Sequence, residues 1–316
     1  MNKILISLAA LSMLVLTSCY HTIGADDERD NNIENTLVIN AIINPDSVIS
    51  AVITRPYFFT DEHNSPSYVP GLTVMLTVNG QDCGMLKWDE KTGRYISTVK
   101  PEPGDVVRLA TSFFDRNYTC QDTVPQPVAI GELTDSIQGP VSIYTKSDYV
   151  VTYKLTFTDE PGKQNYYFLQ WDVADEHAEL MGERDFTHEL VFQQLANHVN
   201  SQVPGWTPYS YLGLPFSDEG IDGQPHTLQL REIIQGGNDG EMPRMPKQRV
   251  FKLYAISRPY YNYLLSILCN DTDDSSIKGG MLDIGLVNPV KIYTNIECGY
   301  GILCSYVMAT KTLNMR

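Results

Sequence analysis

The sequence predicts a mainly β chain, an N-terminal immunoglobulin-like or transthyretin-like sandwich followed by a β-rich domain with one or two short helices. Three observations carry that expectation. From Thr36 onward apolar and polar residues alternate with period two, in runs rich in Val, Ile and Thr, as half-buried strands require. Gly, Pro, Asn and Asp interrupt the runs at short intervals, which is hairpin punctuation. Helical periodicity is confined to two short windows.

The chain opens with Lys3 and an apolar run from Ile4 to Leu16, too short to span a bilayer, which needs about 20 residues. The run has the length of a signal-peptide core. It ends in Leu16-Thr17-Ser18-Cys19, which resembles the bacterial lipobox. The expectation is a signal peptide over 1–18, cleavage before Cys19 and a lipid anchor on that thiol. Each buried acyl methylene contributes about 0.8 kcal/mol, so two or three chains hold a soluble body at a membrane. Residues 19–35 are polar, with an acidic cluster from Asp26 to Asp30, and read as a flexible tether.

The first domain is expected over 36–130. Strands at Thr36–Ile42, Val48–Thr54 and Leu72–Val78 lead into Asn79-Gly80, a strong hairpin turn. Met85–Trp88, Gly93–Thr98, Asp105–Phe113 and Asn117–Val124 complete about seven strands, the number of such a sandwich. Pro125 to Gly139 reads as the linker, and the second domain covers 131–316. It begins with a hairpin of Val150–Phe157 and Tyr166–Val173, then carries an insert at 174–216. Inside the insert Thr187 is placed to cap a helix over His188–Asn200. Strands resume at His226–Ile234 and Gln248–Ile256. Ser257 caps a second helix with Pro259 in its first turn. Tyr261, Leu264, Leu265 and Leu268 share one face of it, and Tyr260, Tyr263 and Ile267 make the other face apolar, which predicts a buried helix. Lys291–Asn295 and Leu303–Leu313 close the chain as strands.

A formal net charge of −15 repels phosphate backbones and anionic headgroups, so nucleic acid is excluded as a partner and the lipid is left as the membrane contact. The sequence holds no GxSxG, HExxH or CxxC pattern and no phosphate-cradling glycine loop, so it assigns no catalytic residue, cofactor or metal. Asp271 to Ser275 has alternating oxygen ligands but lacks the glycine and final glutamate of a calcium loop. Five cysteines remain after Cys19, and an exported protein is free to pair them. Joining Cys83 to Cys120 would contribute roughly 4 kcal/mol in the chain-entropy model, the alternative being two buried thiols. Cys298 and Cys304 would join only if Gly299-Tyr300-Gly301 turns sharply. Trp206, Tyr209 and Tyr211, in a Pro-rich loop, are the candidate ligand or partner contact; the alternative is that these rings pack in the domain's own core.

Several ordered pieces carry a resemblance. They are the lipobox, Asp159-Glu160-Pro161-Gly162 before Asn165-Tyr166-Tyr167, Phe216-Ser217-Asp218-Glu219, Leu253-Tyr254-Ala255-Ile256-Ser257 before Tyr260-Tyr261-Asn262-Tyr263-Leu264, and Thr294-Asn295-Ile296. In that order they resemble the Bacteroidota lipoproteins grouped as domain-of-unknown-function family 4249. The chain departs from that pattern in its long insert and in the cysteines near its end. The resemblance implies no established activity. It implies a β-rich two-domain body tethered by lipid at the outer membrane, on the cell surface rather than the periplasmic face, and association with TonB-dependent transport. The expected function is therefore a non-enzymatic component that binds a glycan or other small nutrient, or covers a TonB-dependent transporter. A structural or adhesive surface protein and a hydrolase with a spatially assembled carboxylate site are the alternatives. A cleft with clustered carboxylates favours the hydrolase, and a flat aromatic patch favours a partner surface. Asp46-Ser47-Val48, Asp122-Thr123-Val124 and Asp135-Ser136-Ile137 also resemble the O-glycan acceptor pattern of exported Bacteroidota proteins, which makes Ser47, Thr123 and Ser136 candidate sites.

Overall fold

A computed structural model describes residues 35–56, 67–145, 147–173, 182–202, 205–208, 213–236, 247–270 and 290–315. The fold is mainly β and sandwich-like. Alternation of buried and exposed side chains sets each strand's inward face, as in β1 (Val38–Ile43), whose Ile39, Ala41 and Ile43 point into a core. β2 (Ser50–Thr54), β3 (Val74–Val78), β4 (Gln81–Asp89), β5 (Arg94–Ile96), β6 (Val106–Phe113) and β7 (Arg116–Thr123) follow. The β3–β4 turn is made by Asn79 and Gly80 at φ 53° and 77°, the positive angles a two-residue hairpin of this kind demands.

The second half contains β8 (Ile130–Val141), β9 (Asp148–Thr158), β10 (Tyr166–Val173), β11 (Glu183–Asp185), helix α1 (Leu190–Asn200), β12 (Gly213–Ser217), β13 (Pro225–Gln235), β14 (Gln248–Ile256), helix α2 (Arg258–Leu268) and β15 (Tyr300–Asn314). A four-stranded sheet, β11-β13-β9-β8, packs on strands of a larger sheet ordered β12-β10-β14-β15-β1-β2-β5-β4-β3-β6-β7. Rings interlock across this packing: Tyr153 of β9 meets Phe251 of β14 at 5.2 Å, and Phe157 meets Tyr167 of β10 at 5.1 Å, both edge to face.

Strand β15 joins the halves. Tyr300 to Ser305 pair in parallel with β1, and Tyr306 to Asn314 pair antiparallel with β14. Just before it, Glu297 N–H donates to Thr119 O at 2.9 Å and the Asn295 amide to Gln121 O at 3.4 Å, so the same stretch also laces onto β7. The first half thus wraps around one core, which runs from Leu37 to Val124 and takes in Ile296 and Leu303 from the far end of the chain. The second core starts at Val128 and ends at Leu313.

Several expectations change. Pro125–Gly139 is not all linker, because β8 begins at Ile130 and pairs with β9. Lys291–Asn295 forms no strand. Within the 174–216 insert, Phe186, Val191, Phe192, Leu195, Val199, Leu214 and Phe216 are all buried in the second core, so this segment builds the domain instead of decorating it. Thr187 does not cap α1: its hydroxyl donates to Asp185 Oδ1 at 2.6 Å, and Glu189 holds the cap position without a side-chain bond to the helix. Ser257 does cap α2, accepting from Tyr260 N–H. That helix is only partly buried, with Ile267 exposed.

No expected disulfide forms, and Cys83, Cys120, Cys298 and Cys304 are all free thiols. Cys83 is exposed on β4 and Cys120 buried on β7, with β3 and β6 between these strands. Three interstrand spacings of about 4.8 Å far exceed the roughly 7 Å that a disulfide spans between Cα atoms. The chain does turn ahead of β15, with Gly299 N–H donating to Ile296 O at 3.3 Å, but the turn does not join the two thiols: Cys298 is exposed in it while β15 carries Cys304 inside.

Candidate functional site: a cleft between the halves

The end of β7 and the segment after it, 122–128, form one wall of a cleft; the β9–β10 turn forms the other, and the junction of β14 with α2 forms its floor. The cavity measures about 730 Å³. Clefts at domain junctions are common ligand sites, since neither side alone must bury the ligand.

Two groups of carboxylates shape it. On the first wall, Asp122 is 5% exposed. Its Oδ2 accepts from Ser305 Oγ at 2.6 Å. Burial raises its pKa to about 6, against hydrogen bonds from Ser305, Ser257 and the Thr123 backbone that pull it down. On the other wall Asp159 is buried, and Asp218 and Asp222 lie behind it, with ligand oxygens of all three within 4.8 Å of one another. Asp159 accepts from the Asn165 amide at 3.1 Å, from Tyr167 OH and from Gly223 N–H at 2.9 Å. Asp218 Oδ2 accepts from Asn165 N–H at 2.7 Å, and Asp222 Oδ1 from Gly162 N–H at 2.9 Å. Burial raises the pKa of Asp218, with the charges of Asp159 and Asp222 adding to the shift and the Asn165 hydrogen bond opposing it. This is where a hard cation would find oxygen ligands. In chemical terms the three carboxylates staple the turn after β9 to the turn after β12.

The rim adds Lys163, paired with Glu160 at 2.8 Å, the exposed Arg258, and the phenol of Tyr166, which packs on Tyr261 of α2 with ring centroids 4.7 Å apart. The cleft therefore offers both signs of charge, hydroxyls and a ring edge to a bound molecule.

The structure places the sequence-derived candidates elsewhere. Trp206 is 7% exposed inside the second core, and the Asn200 amide donates to its carbonyl at 2.8 Å. It packs as the core alternative requires and is corrected from contact residue to core residue. Tyr209, Tyr211, Cys19 and Asp271–Ser275 lie outside the described residues. Ser47, Thr123 and Ser136 are exposed, Thr123 at the cleft's edge and Ser136 on β8. His188 lies 3.6 Å from Asp185, and His198 lines a separate cavity by α2. Sequence reasoning assigned no role to Asp122, Asp159, Asn165, Asp218 or Asp222. A signal existed, because four of them belong to Asp-Ser/Thr or Asp/Asn pieces already singled out, but only the fold brings residues 159 and 218 together.

A family model described as Domain of unknown function (DUF4249) matches residues 25–312, and the chain belongs to that family. Curated proteins give no match. A Corynebacterium diphtheriae crystal structure described as a membrane anchored protein aligns over 70% of this chain and 54% of its own, at 11% identity and a TM-score of 0.21. The chain thus spans about half the length of that structure.

Proposed function

We propose that this DUF4249 chain is a lipid-anchored outer-membrane protein that holds a small nutrient, such as a glycan, at the cell surface for a TonB-dependent transporter, without chemistry of its own. The observation that carries the reading is the cleft, a cavity of about 730 Å³ at the junction of two cores joined by one continuous strand. Such a frame holds a ligand site open without an ordering cost on binding. The lipobox at Leu16–Cys19 supports the membrane tether, and among the described residues no helix is long and apolar enough to cross a membrane.

The clustered carboxylates favour a hydrolase as the second reading, since a cleft with paired acids is the arrangement that glycoside hydrolysis uses. Their bonding speaks for the first reading: Asp159, Asp218 and Asp222 are each engaged by backbone N–H groups or neighbouring side chains that fix the turns. Affinity purification from native membranes tests the proposal. A co-purifying outer-membrane barrel supports it, and purification as a lone chain that cleaves glycans replaces it with the hydrolase. Metabolic labelling with a palmitate analogue checks the anchor: Cys19→Ala is expected to lose the label, and equal labelling of that variant overturns the tether.

A further inference from the structure

Asp122 has a second property, independent of any ligand. It projects from β7 of the first half into the seam where β15 and α2 meet. Ser305 Oγ donates to Asp122 Oδ2 at 2.6 Å and lies 3.0 Å from Thr123 O. Ser305 N–H in turn donates to Ser257 Oγ at 3.2 Å, and Ser257 N–H to Ser305 O at 3.0 Å. Ser257 is the cap of α2 and also bonds Asp122. One carboxyl therefore ties the first half to the shared strand and to the helix that floors the cleft.

We propose that Asp122 is a proton-operated latch between the two halves, its buried carboxyl tightening the junction when protonated and loosening it when charged. The inference goes beyond the ligand reading and stands whether or not the cleft takes a nutrient. The physical basis is the absence of a cation among its bonding partners: the groups that hold it are two serine hydroxyls and a backbone group. A carboxylate in so dry a place is costly unless paired with a positive charge. Among the described residues, the titratable groups around it do not supply one, since Arg108 of β6, the strand paired with β7, is exposed on the other face from the buried Val107 opposite Asp122. β7 contributes the Cys120 thiol and β15 the Cys304 thiol, both held neutral by burial. α2 contributes Tyr260, also held neutral by burial, and Arg258, exposed at the rim. The opposite wall contributes Asp159, Glu160, Lys163, Tyr166 and Tyr167, with Lys163 engaged by Glu160. The connecting segment 123–128 contributes none.

The direction follows from linkage. The folded-state pKa, about 6, lies above the ordinary carboxylate value of 3.8. The junction is thus the state that binds the proton more tightly. Its stability is fullest below the ordinary value, falls as pH rises between the two values, and stays at its low level above about 6. From this group alone the expected change in the folding equilibrium is about a hundredfold between pH 3.5 and 7.5.

The experiment follows the Asp122 carboxyl carbon by NMR from pH 3.5 to 8 in the full mature chain, and measures urea unfolding of wild type and Asp122→Asn over the same range. The latch predicts a midpoint near 6, and a stability advantage for Asp122→Asn that grows by about a hundredfold in the unfolding equilibrium before levelling off at neutral pH. A midpoint at the ordinary carboxylate value, or a difference between the two proteins that does not change with pH, overturns it. Should Asp122→Asn fail to fold, Ser305→Ala provides the second reading. Losing a hydroxyl that favours the charged form is expected to move the Asp122 midpoint further up, and an unmoved midpoint overturns the latch equally.

Discussion

The two cores are built on different principles. The first is aliphatic: Leu37, Ile39, Ala41, Ile43, Ile49, Ala51 and Ile53 fill it, with the Tyr95 hydroxyl satisfied by donating to Val69 O at 2.6 Å. The second is aromatic and contains an ion pair. Arg249, 1% exposed, reaches Glu232 at 2.9 Å and 3.0 Å, Tyr153 OH donates to Glu232 Oε2 at 2.6 Å, and Gly182 N–H donates to Oε1 at 2.8 Å. Above it Arg184 lies over the Trp171 ring at 4.9 Å and donates to the Trp171 carbonyl at 2.6 Å. Burial alone would lower the Arg249 pKa, but Glu232 and Tyr153 outweigh it and the net shift is upward. The difference teaches how each half fixes its geometry. Hairpin neighbours in the first half are locked by register, whereas in the second half two sheets must be set face to face, and a directional polar group between them defines that setting.

The sharpest way to break this comparison is to remove one partner of the pair. Arg249→Met leaves Glu232 charged and buried, and is expected to cost about 3–5 kcal/mol in urea unfolding. The double variant Glu232→Leu/Arg249→Met is expected to regain most of that loss, because a matched apolar pair removes the desolvation cost of both ions. A loss below about 1 kcal/mol for the single variant would mean the pair is not the pin described here.

Trp206 probes the aromatic side of the second core. Trp206→Ala is expected to cost about 3–5 kcal/mol, read as a fall in melting temperature. An unchanged melt would return this ring to the surface and reopen the loop as a contact. In the first core the matching test is gentler. Ile39→Val removes one methylene from an aliphatic layer and is expected to cost about 0.5–1.5 kcal/mol by the same measurement. A larger loss would show that the first core packs as specifically as the second.

The smallest effect is chemical. Native alkylation followed by mass measurement is expected to modify Cys83 and Cys298, and to spare Cys120, Cys269 and Cys304 until the chain is denatured. Burial keeps the Cys120 thiol neutral, with its pKa pushed up to about 12, so it is both hidden and unreactive. Equal labelling of Cys120 would mean that the first core opens readily.

The sequence by itself determined what depends on near neighbours. Period-two alternation identified β1, β9, β10 and β14, since a strand's inward face is written in its own residues. Asn79-Gly80 specified its turn and Ser257 its helix cap, because both act within three residues of themselves. Tertiary structure decided whatever depends on a distant partner. Val38 pairs with Tyr300, which put a strand from the end of the chain beside the first one and merged the halves. Asp185 took the Thr187 hydroxyl away from the helix it was placed to cap. Trp206 went inside because α1 and β12 built a core around it. The carboxylates of the cleft come from segments 37 and 59 residues apart, read from Asp122 to Asp159 and from Asp159 to Asp218, and the sheet order, set by pairing across the whole chain, is what makes them neighbours. Local conformational preference acts over a few bonds, while burial and strand pairing act over space.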